Sequence, residues 1–240
     1  MTDHKVKLKN SEEVAEGTMA FHIEKPAGFD YKAGQFIRLT LLDPPETDAE
    51  GNARTFTLAS APSEEDLMVA TRMRDSAFKR VLKEMPLGTA VEVRGPFGAL
   101  TLRDDESRPA VFLAGGIGVT PFRSMSIQAA KVGLPRRIFL FYSNRRPEDA
   151  AFLEELQQLE SKNSNYEFIP TMTRPEQFKQ AWRGETGYID REKLARFIDD
   201  MKAPIYYAAG PPTMVDAMEK VLVDAGVDGD DIRAEKFKGY

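Results

Sequence analysis

The chain of 240 residues contains no cysteine. Disulfides, thiol nucleophiles and thiolate-held iron–sulfur clusters are therefore excluded from these residues. Histidine is scarce: there are two, His4 and His22, both near the N-terminus. No carboxylate cluster with ligand spacing accompanies them, so no metal centre is expected. Positive charge is not in excess, since 33 Lys and Arg face 38 Asp and Glu for a net charge of −5. A field of that sign does not recruit nucleic acid or an anionic membrane surface. Nor does any apolar run approach the roughly 18–20 residues that a membrane span requires. The opening MTDHKVKLKNSEEV is polar, with acids and lysines in balance and no apolar core, unlike a secretory leader, and a cytoplasmic location is expected.

What is present falls into two rhythms. Up to about residue 102, short alternating or β-branched runs read as strands: FHIEKP, QFIRLTLL, RTFTLAS, DLMVATRM and AVEVRGP. Pro26, Gly28, Gly34, Pro44, Pro45, Pro62 and Gly88 punctuate them. One helical segment, SAFKRVLKEM, places Phe78, Val81, Leu82 and Met85 on one face. The pattern predicts a small, closed or partly closed antiparallel β-barrel. The charged, apolar-free RDDESRP over 103–109 reads as a linker, which sets the expected domains at 1–104 and 105–240.

Beyond the linker, apolar strands alternate with amphipathic helices. AVFLAGG precedes TPFRSMSIQAAKVG, and RIFLFYSN precedes PEDAAFLEELQQLE. YEFIPTMT precedes a loop with Trp182 and then REKLARFIDDM; IYYAAG precedes PTMVDAMEKVLVDAG; DIRAEKF comes last. This alternation predicts an α/β doubly wound parallel sheet. Phe152, Leu156 and Leu159, and again Met214, Met218 and Leu222, recur as core-facing stripes.

Ligands of parallel sheets bind beyond the carboxyl ends of the strands. FLAGGIGVTPF makes such an exit. Gly115, Gly116 and Gly118 allow backbone N–H groups to approach a pyrophosphate, and Thr120 adds a hydroxyl. Pro121 stands where a Rossmann fingerprint has its third glycine, and suits the first turn of a helix. A second such turn is AAGPPTM, from Ala208 to Met214. In the barrel half, RTFTLAS puts Arg54, Phe56 and Leu58 on one side of a strand and Thr55 and Thr57 on the other.

These three segments, in this order, resemble the ferredoxin–NADP reductase superfamily over residues 16–240. RTFTLAS looks like its flavin strand, usually Arg-x-Tyr-Ser; GGIGVTPF is similar to its pyridine-nucleotide turn, and AAGPPTM to its Cys-Gly-Pro-Pro segment. The resemblance implies a flavin-binding barrel joined to an NAD(P)-binding α/β domain, without a fused iron–sulfur domain. It implies that Arg54 contacts flavin phosphate, Phe56 packs along the ring and Thr57 hydrogen-bonds its N5. Thr71, Arg72 and Met73 would edge the ring, and Ser76, Ala77 and Phe78 would open a helix toward the diphosphate. Gly115, Gly116, Gly118 and Thr120 would hold the dinucleotide pyrophosphate, and Gly210, Pro211 and Pro212 would shape the nicotinamide slot. Phe237 or Tyr240 would lie against the flavin, and Glu235 could relay a proton. Ser143, Arg145 and Arg146 follow the second strand and favour NADPH over NADH.

Two departures stand out. Ala209 replaces the family's cysteine, and the glycine that often precedes Ser76 is absent; FAD is favoured over FMN by the pair Arg54 and Ser76. The implied reaction passes hydride from NAD(P)H to flavin and electrons onward to ferredoxin, flavodoxin or another acceptor. Lys79, Arg80 and Lys83 on one helix would suit an acidic protein partner of that kind. The alternatives are an NAD(P)H-dependent flavin or ferric reductase with a small acceptor, and a non-catalytic nucleotide-binding regulatory subunit.

Overall fold

The structure is a computed structural model in which residues 3–179 and 181–237 are described. The first half forms a six-stranded sheet. Its strands are β1 (Asp3–Ala15), β2 (Thr18–Ile23), β3 (Phe36–Leu41), β4 (Ala53–Thr57), β5 (Leu67–Arg72) and β6 (Ala90–Phe97). Their order is β4-β3-β6-β1-β2-β5, with antiparallel pairing throughout. The two outer strands turn toward each other, and a Leu58–Val69 bridge joins them. Closure leaves an interior of alternating side chains, among them Phe21, Ile37, Leu39, Val91 and Val93. Helix α1 (Ala77–Glu84), capped by Ser76, packs Phe78, Val81 and Leu82 into it.

Strand β1 was not among the sequence-based expectations, which begin the barrel at FHIEKP. It nevertheless lies inside the sheet, pairing with both β2 and β6. Only Val6 and Leu8 of KVKLKN are buried, and the lysines between them face out. Two inward residues suffice for a strand with neighbours on both sides, although the segment is polar on average.

The second half is a parallel sheet of six strands. They are β7 (Ala110–Gly115), β8 (Ile138–Asn144), β9 (Tyr166–Met172), β10 (Glu185–Thr186), β11 (Ile205–Gly210) and β12 (Ile232–Lys236). Helices α2 (Thr120–Val132), α3 (Leu153–Leu159), α4 (Arg191–Ala195) and α5 (Pro212–Asp224) connect them. The order is β10-β9-β8-β7-β11-β12. The chain therefore moves outward from β7 through β8 and β9, then returns to lay β11 on β7's other side. The carboxyl ends of the paired strands β7 and β11 mark the switch point of the sheet, the place where ligands of this architecture bind.

Three local readings need correction. Phe152 precedes α3 with a left-handed φ of 60°, buried but outside the helix. The REKLARFIDDM helix is short, covering only Arg191–Ala195. The Trp182 loop contains the small strand β10, and the Trp182 indole N–H donates to the Glu185 carbonyl at 2.9 Å.

One face of the parallel sheet shares a core with the barrel. Ala20, Ala59, Met68 and Ala70 from the first half pack with Phe112, Phe122 and Met125 from the second. The linker is tied to the second half: Arg108 donates to both carboxylate oxygens of Asp231, at 2.8 and 2.7 Å.

Candidate active site

The barrel's part of the site lies at the end of β4. Thr57 is buried, and Phe56, half-buried, meets Phe78 of α1 with ring centroids 5.8 Å apart. The Arg54 guanidinium stacks over the same Phe78 ring at 5.2 Å. Its N–H groups are taken up by the loop before β4. Asp48 accepts at 2.8 Å, Glu50 at 3.0 Å, and the carbonyls of Glu50, Gly51 and Ala53 at 2.9–3.0 Å.

Beside Arg54 is the start of α1. Ser76 Oγ accepts from the Lys79 N–H at 3.3 Å, and Asp48 Oδ2 accepts from the Ala77 N–H at 3.2 Å. The hydrogen bond from Arg54 holds the Asp48 carboxyl below the usual carboxylate range. Lys79 Nζ turns inward to donate to the Arg72 carbonyl at 2.7 Å. Burial, and then the nearby Arg74 and Arg54 charges, push its ammonium pKa down. Lys79 and Arg74 thus join Arg54 around the helix start, an assignment that helical spacing alone did not make. The proposed docking patch loses its members by the same observation. Lys79 points inward, the exposed Arg80 pairs with Glu46 at 2.9 Å and with Asp75, and only Lys83 is exposed with its charge unpaired among the salt bridges of the described residues.

Thr71 is buried, while Arg72 and Met73 are half-buried at the end of β5. The Met73 N–H donates to the Gly17 carbonyl at 2.8 Å, which fixes this end against the β1–β2 hairpin.

The nucleotide half of the site is built from two interlocked turns. After β7 the chain makes a 3₁₀ turn over Gly116–Val119 and enters α2, with Pro121 in its first turn. Gly116 has a φ of 53°, which favours glycine. A Cβ on Gly118 would strike the Ala209 carbonyl and the Gly210 backbone. A Cβ on Gly115 would crowd Pro211 and Met214 at 3.0–3.3 Å. The glycines therefore also let the exits of β7 and β11 pack backbone to backbone. Thr120 is buried and spends its hydroxyl on the Ile117 carbonyl at 3.0 Å, closing the turn. Gly116 and Ile117 are the half-exposed residues of the turn.

Beyond β11, Pro211 and Pro212 are half-exposed at the start of α5. Ala209 is fully buried and stands in register with Glu235 of β12. Burial holds the Glu235 carboxyl above its ordinary value. The Phe237 N–H donates to the Gly210 carbonyl at 2.9 Å, and its ring packs against the shared core. Tyr240 lies outside the described residues.

At the exit of β8 the expected trio separates. Arg146 chelates Asp149 at 2.6 and 3.1 Å and reaches Glu16 at 3.4 Å. Burial alone would raise the Asp149 pKa, but the Arg146 pair holds it below the usual range. Ser143 is half-buried and Arg145 exposed. The Arg174 N–H donates to the Arg145 carbonyl at 3.0 Å, which brings an exposed arginine from the exit of β9 beside Arg145. A signal for Arg174 existed: Arg-Pro-Glu occurs at 146–148 and again at 174–176, each after a strand and each opening a 3₁₀ turn.

One side chain ties the two halves together. Arg123 of α2 is only 3% exposed. It donates to the Ala59 carbonyl at 2.7 Å, to Glu64 at 3.0 and 3.1 Å, and to Glu155 at 2.6 and 2.7 Å. Its neighbour Ser124 donates to the Ser60 carbonyl at 2.6 Å. Ala59 lies two residues past Thr57, and Arg123 three past Thr120.

The donor set fits a phosphorylated cofactor with a planar ring. Arg54, Arg74, Lys79 and the start of α1 lie together, a donor set that suits phosphate; Phe56 has a half-buried ring, and Thr57 adds a buried hydroxyl. Comparison with known proteins agrees with that chemistry. Residues 112–220 match the oxidoreductase NAD-binding domain family. The reductase component of phenol 2-monooxygenase from Pseudomonas sp. is 29% identical over 219 residues, covering 90% of this chain and 60% of that protein. The glycine betaine monooxygenase reductase of Chromohalobacter salexigens is 28% identical over 223 residues, covering 92% and 60%. The chain thus spans 60% of the length of these curated relatives. The FAD/NAD-binding domain of nitric oxide dioxygenase from Vibrio cholerae has the same fold, with a TM-score of 0.84 at 19% identity over 97% and 98% of the two chains. So does a ferredoxin NADP+ reductase from Neisseria gonorrhoeae with bound FAD and NADP, with a TM-score of 0.81 at 21% identity over 98% of each.

Proposed function

We propose that the chain, which shares its two-domain fold with a ferredoxin NADP+ reductase and matches the oxidoreductase NAD-binding domain family over residues 112–220, is a flavin-dependent NAD(P)H oxidoreductase. It takes hydride from the nicotinamide onto a bound flavin and hands the electrons to a separate acceptor. The observation that carries this reading is the Arg123–Ser124 clamp, which holds the helix after the nucleotide turn against the residues just past Thr57. A donor on one half and an acceptor on the other meet only if the halves are held in register.

When bound, the flavin supplies the conversion of a hydride into electrons delivered one or two at a time. The residues of the chain do the rest. Arg54, Arg74, Lys79 and the start of α1, with Ser76 and Ala77, hold phosphate. Phe56 would pack along the ring, Thr57 would offer its hydroxyl to the ring, and Thr71 to Met73 would border the ring edge. Gly116 and Ile117 receive the dinucleotide phosphates on a turn that Gly115, Gly118 and Thr120 shape. Gly210, Pro211 and Pro212 would form the nicotinamide slot, Phe237 would flank it, and the Glu235 carboxyl would exchange a proton there. The flavin- and nucleotide-binding halves divide at the linker, as 1–104 and 105–240.

FAD is favoured over FMN because the cations Arg54, Arg74 and Lys79 and the start of α1 lie together, a donor set that would suit more than one phosphate. NADPH is favoured by Arg145, now joined by Arg174 in place of the acid-paired Arg146. A cytoplasmic location fits: among the described residues no helix is long and apolar enough to cross a membrane. The acceptor is a redox protein such as a ferredoxin, a flavodoxin or an oxygenase component. One observation favours a small acceptor instead: of the α1 cations Lys79 turns inward and Arg80 is neutralised at the surface by Glu46 and Asp75, which leaves little net basic surface there for an acidic protein.

Anaerobic mixing of the purified flavin-loaded protein with NADPH or NADH tests the proposal. The flavin absorption should bleach with both, and faster with NADPH. A colourless protein that takes up no flavin, or a flavin that neither nucleotide reduces, would overturn the reading.

A further inference from the structure

We propose that Asp48 sets how tightly the chain holds a phosphorylated flavin, by placing a carboxylate on the two groups that grip the phosphate. The inference rests on the flavin reading above. The loop between β3 and β4 carries four acids, Asp43, Glu46, Asp48 and Glu50. Glu46 is spent on Arg80, and Asp43 is exposed. Asp48 differs from both. One of its oxygens lies 2.8 Å from Arg54 Nη2 and the other 3.2 Å from the Ala77 N–H, the first residue of α1.

An ionised carboxylate and a phosphate are acceptors of the same kind, and each seeks a guanidinium and a helix start. Asp48 is therefore a built-in competitor at the corner where Arg54 and α1 converge. Its like charge also faces any phosphate that the neighbouring Arg74 and Lys79 attract. Glu50 contacts the same guanidinium at 3.0 Å, but its side chain is 78% exposed against 30% for Asp48. Solvent and salt screen an exposed acid far more than a half-buried one. The two acids that touch Arg54 should therefore differ in their effect on binding, and Asp48 should dominate.

Fluorescence titration of riboflavin, FMN and FAD separates the contributions, because only the last two carry phosphate. Asp48→Asn should lower the dissociation constants of FMN and FAD by about three- to tenfold and leave riboflavin unchanged. Glu50→Gln should change all three by less than about twofold. Raising the salt should shrink the Asp48→Asn gain. Asp48→Ser, which keeps a short polar side chain, serves as the second variant, and circular dichroism melts confirm that each variant is folded. Weaker FMN and FAD binding in folded Asp48 variants would overturn the inference and make Asp48 a support for Arg54. An equal change for all three flavins would also overturn it. A wild-type chain that binds none of the three defeats the functional reading itself, a result distinct from either.

Discussion

Glu235 is the residue whose chemistry is most exposed to test. It stands in register with Ala209 at the end of β11, beside the proposed nicotinamide slot, and burial raises its carboxyl pKa. A raised pKa means that the folded chain binds this proton more tightly than the unfolded one. The stability tied to it is fully present below the unfolded value and is lost as the pH rises through the folded value. Glu235→Gln never ionises, so its melting temperature should match wild type near pH 4 and exceed it near pH 8. If the carboxyl exchanges a proton during turnover, the same variant should flatten the pH profile of flavin reduction. Melting curves whose separation does not change with pH would refute the first expectation. Arg54 shows what single residues reveal in sequence and what they hide. The resemblance implies that it is a phosphate ligand, but its partners Asp48 and Glu50 come from a loop and its like-charged neighbour Lys79 from a helix face. Spacing does not report contacts made through the fold, so Lys79 reads as part of a surface patch.

Among the elements, α2 does two jobs: its first turn follows the nucleotide turn, and Arg123 and Ser124 clasp the barrel. Arg123→Met removes a charge that two half-exposed acids, Glu64 and Glu155, depend on. Breaking such a pair leaves acids unpaired at an interface, and the expected cost is about 2 kcal/mol after allowing for their exposure. The flavin and NADPH dissociation constants should stay within about threefold while hydride transfer slows by about tenfold or more. A loss confined to stability, with hydride transfer intact, would reduce Arg123 to a structural tie. The strand exits carry the second expectation at this scale. Arg145 and Arg174 are exposed neighbours, whereas Arg146 is held by Asp149 and Glu16. Substituting Arg145 and Arg174 together with Ala should lower kcat/KM for NADPH by about tenfold and spare NADH. Arg146→Ala should lower both alike, and the opposite pattern would return the selectivity to Arg146. Most elements are legible in the sequence because their apolar periods are clean, as in β7 and β11, which are buried on both faces. Strand β1 is not, because two inward residues among lysines and glutamates carry too little pattern. The helix before Glu160 reads as starting too early, because the stripe that includes Phe152 is satisfied by a buried turn residue.

For the whole molecule, the decisive feature is that the two halves share one core. Ala59, Met68 and Ala70 of the barrel face Phe112, Phe122 and Met125, and the linker is fastened to Asp231 by Arg108. Separating the halves would uncover that apolar face as well as the Arg123 cluster, so neither half should melt far ahead of the other. A single calorimetric transition is expected, with the calorimetric and van't Hoff enthalpies in agreement. On the proposed reading flavin would contact one half, yet a cofactor that binds only the folded chain stabilises the entire cooperative unit. At free FAD near one hundred times its dissociation constant the gain should be about 2.7 kcal/mol, and the one transition should move upward intact. NADP+ added alone should move the same transition, since its turn belongs to the same unit. Two transitions, with FAD shifting one and NADP+ the other, would show that the halves fold independently. The Arg123 clamp would then be a contact too weak to keep donor and acceptor in register.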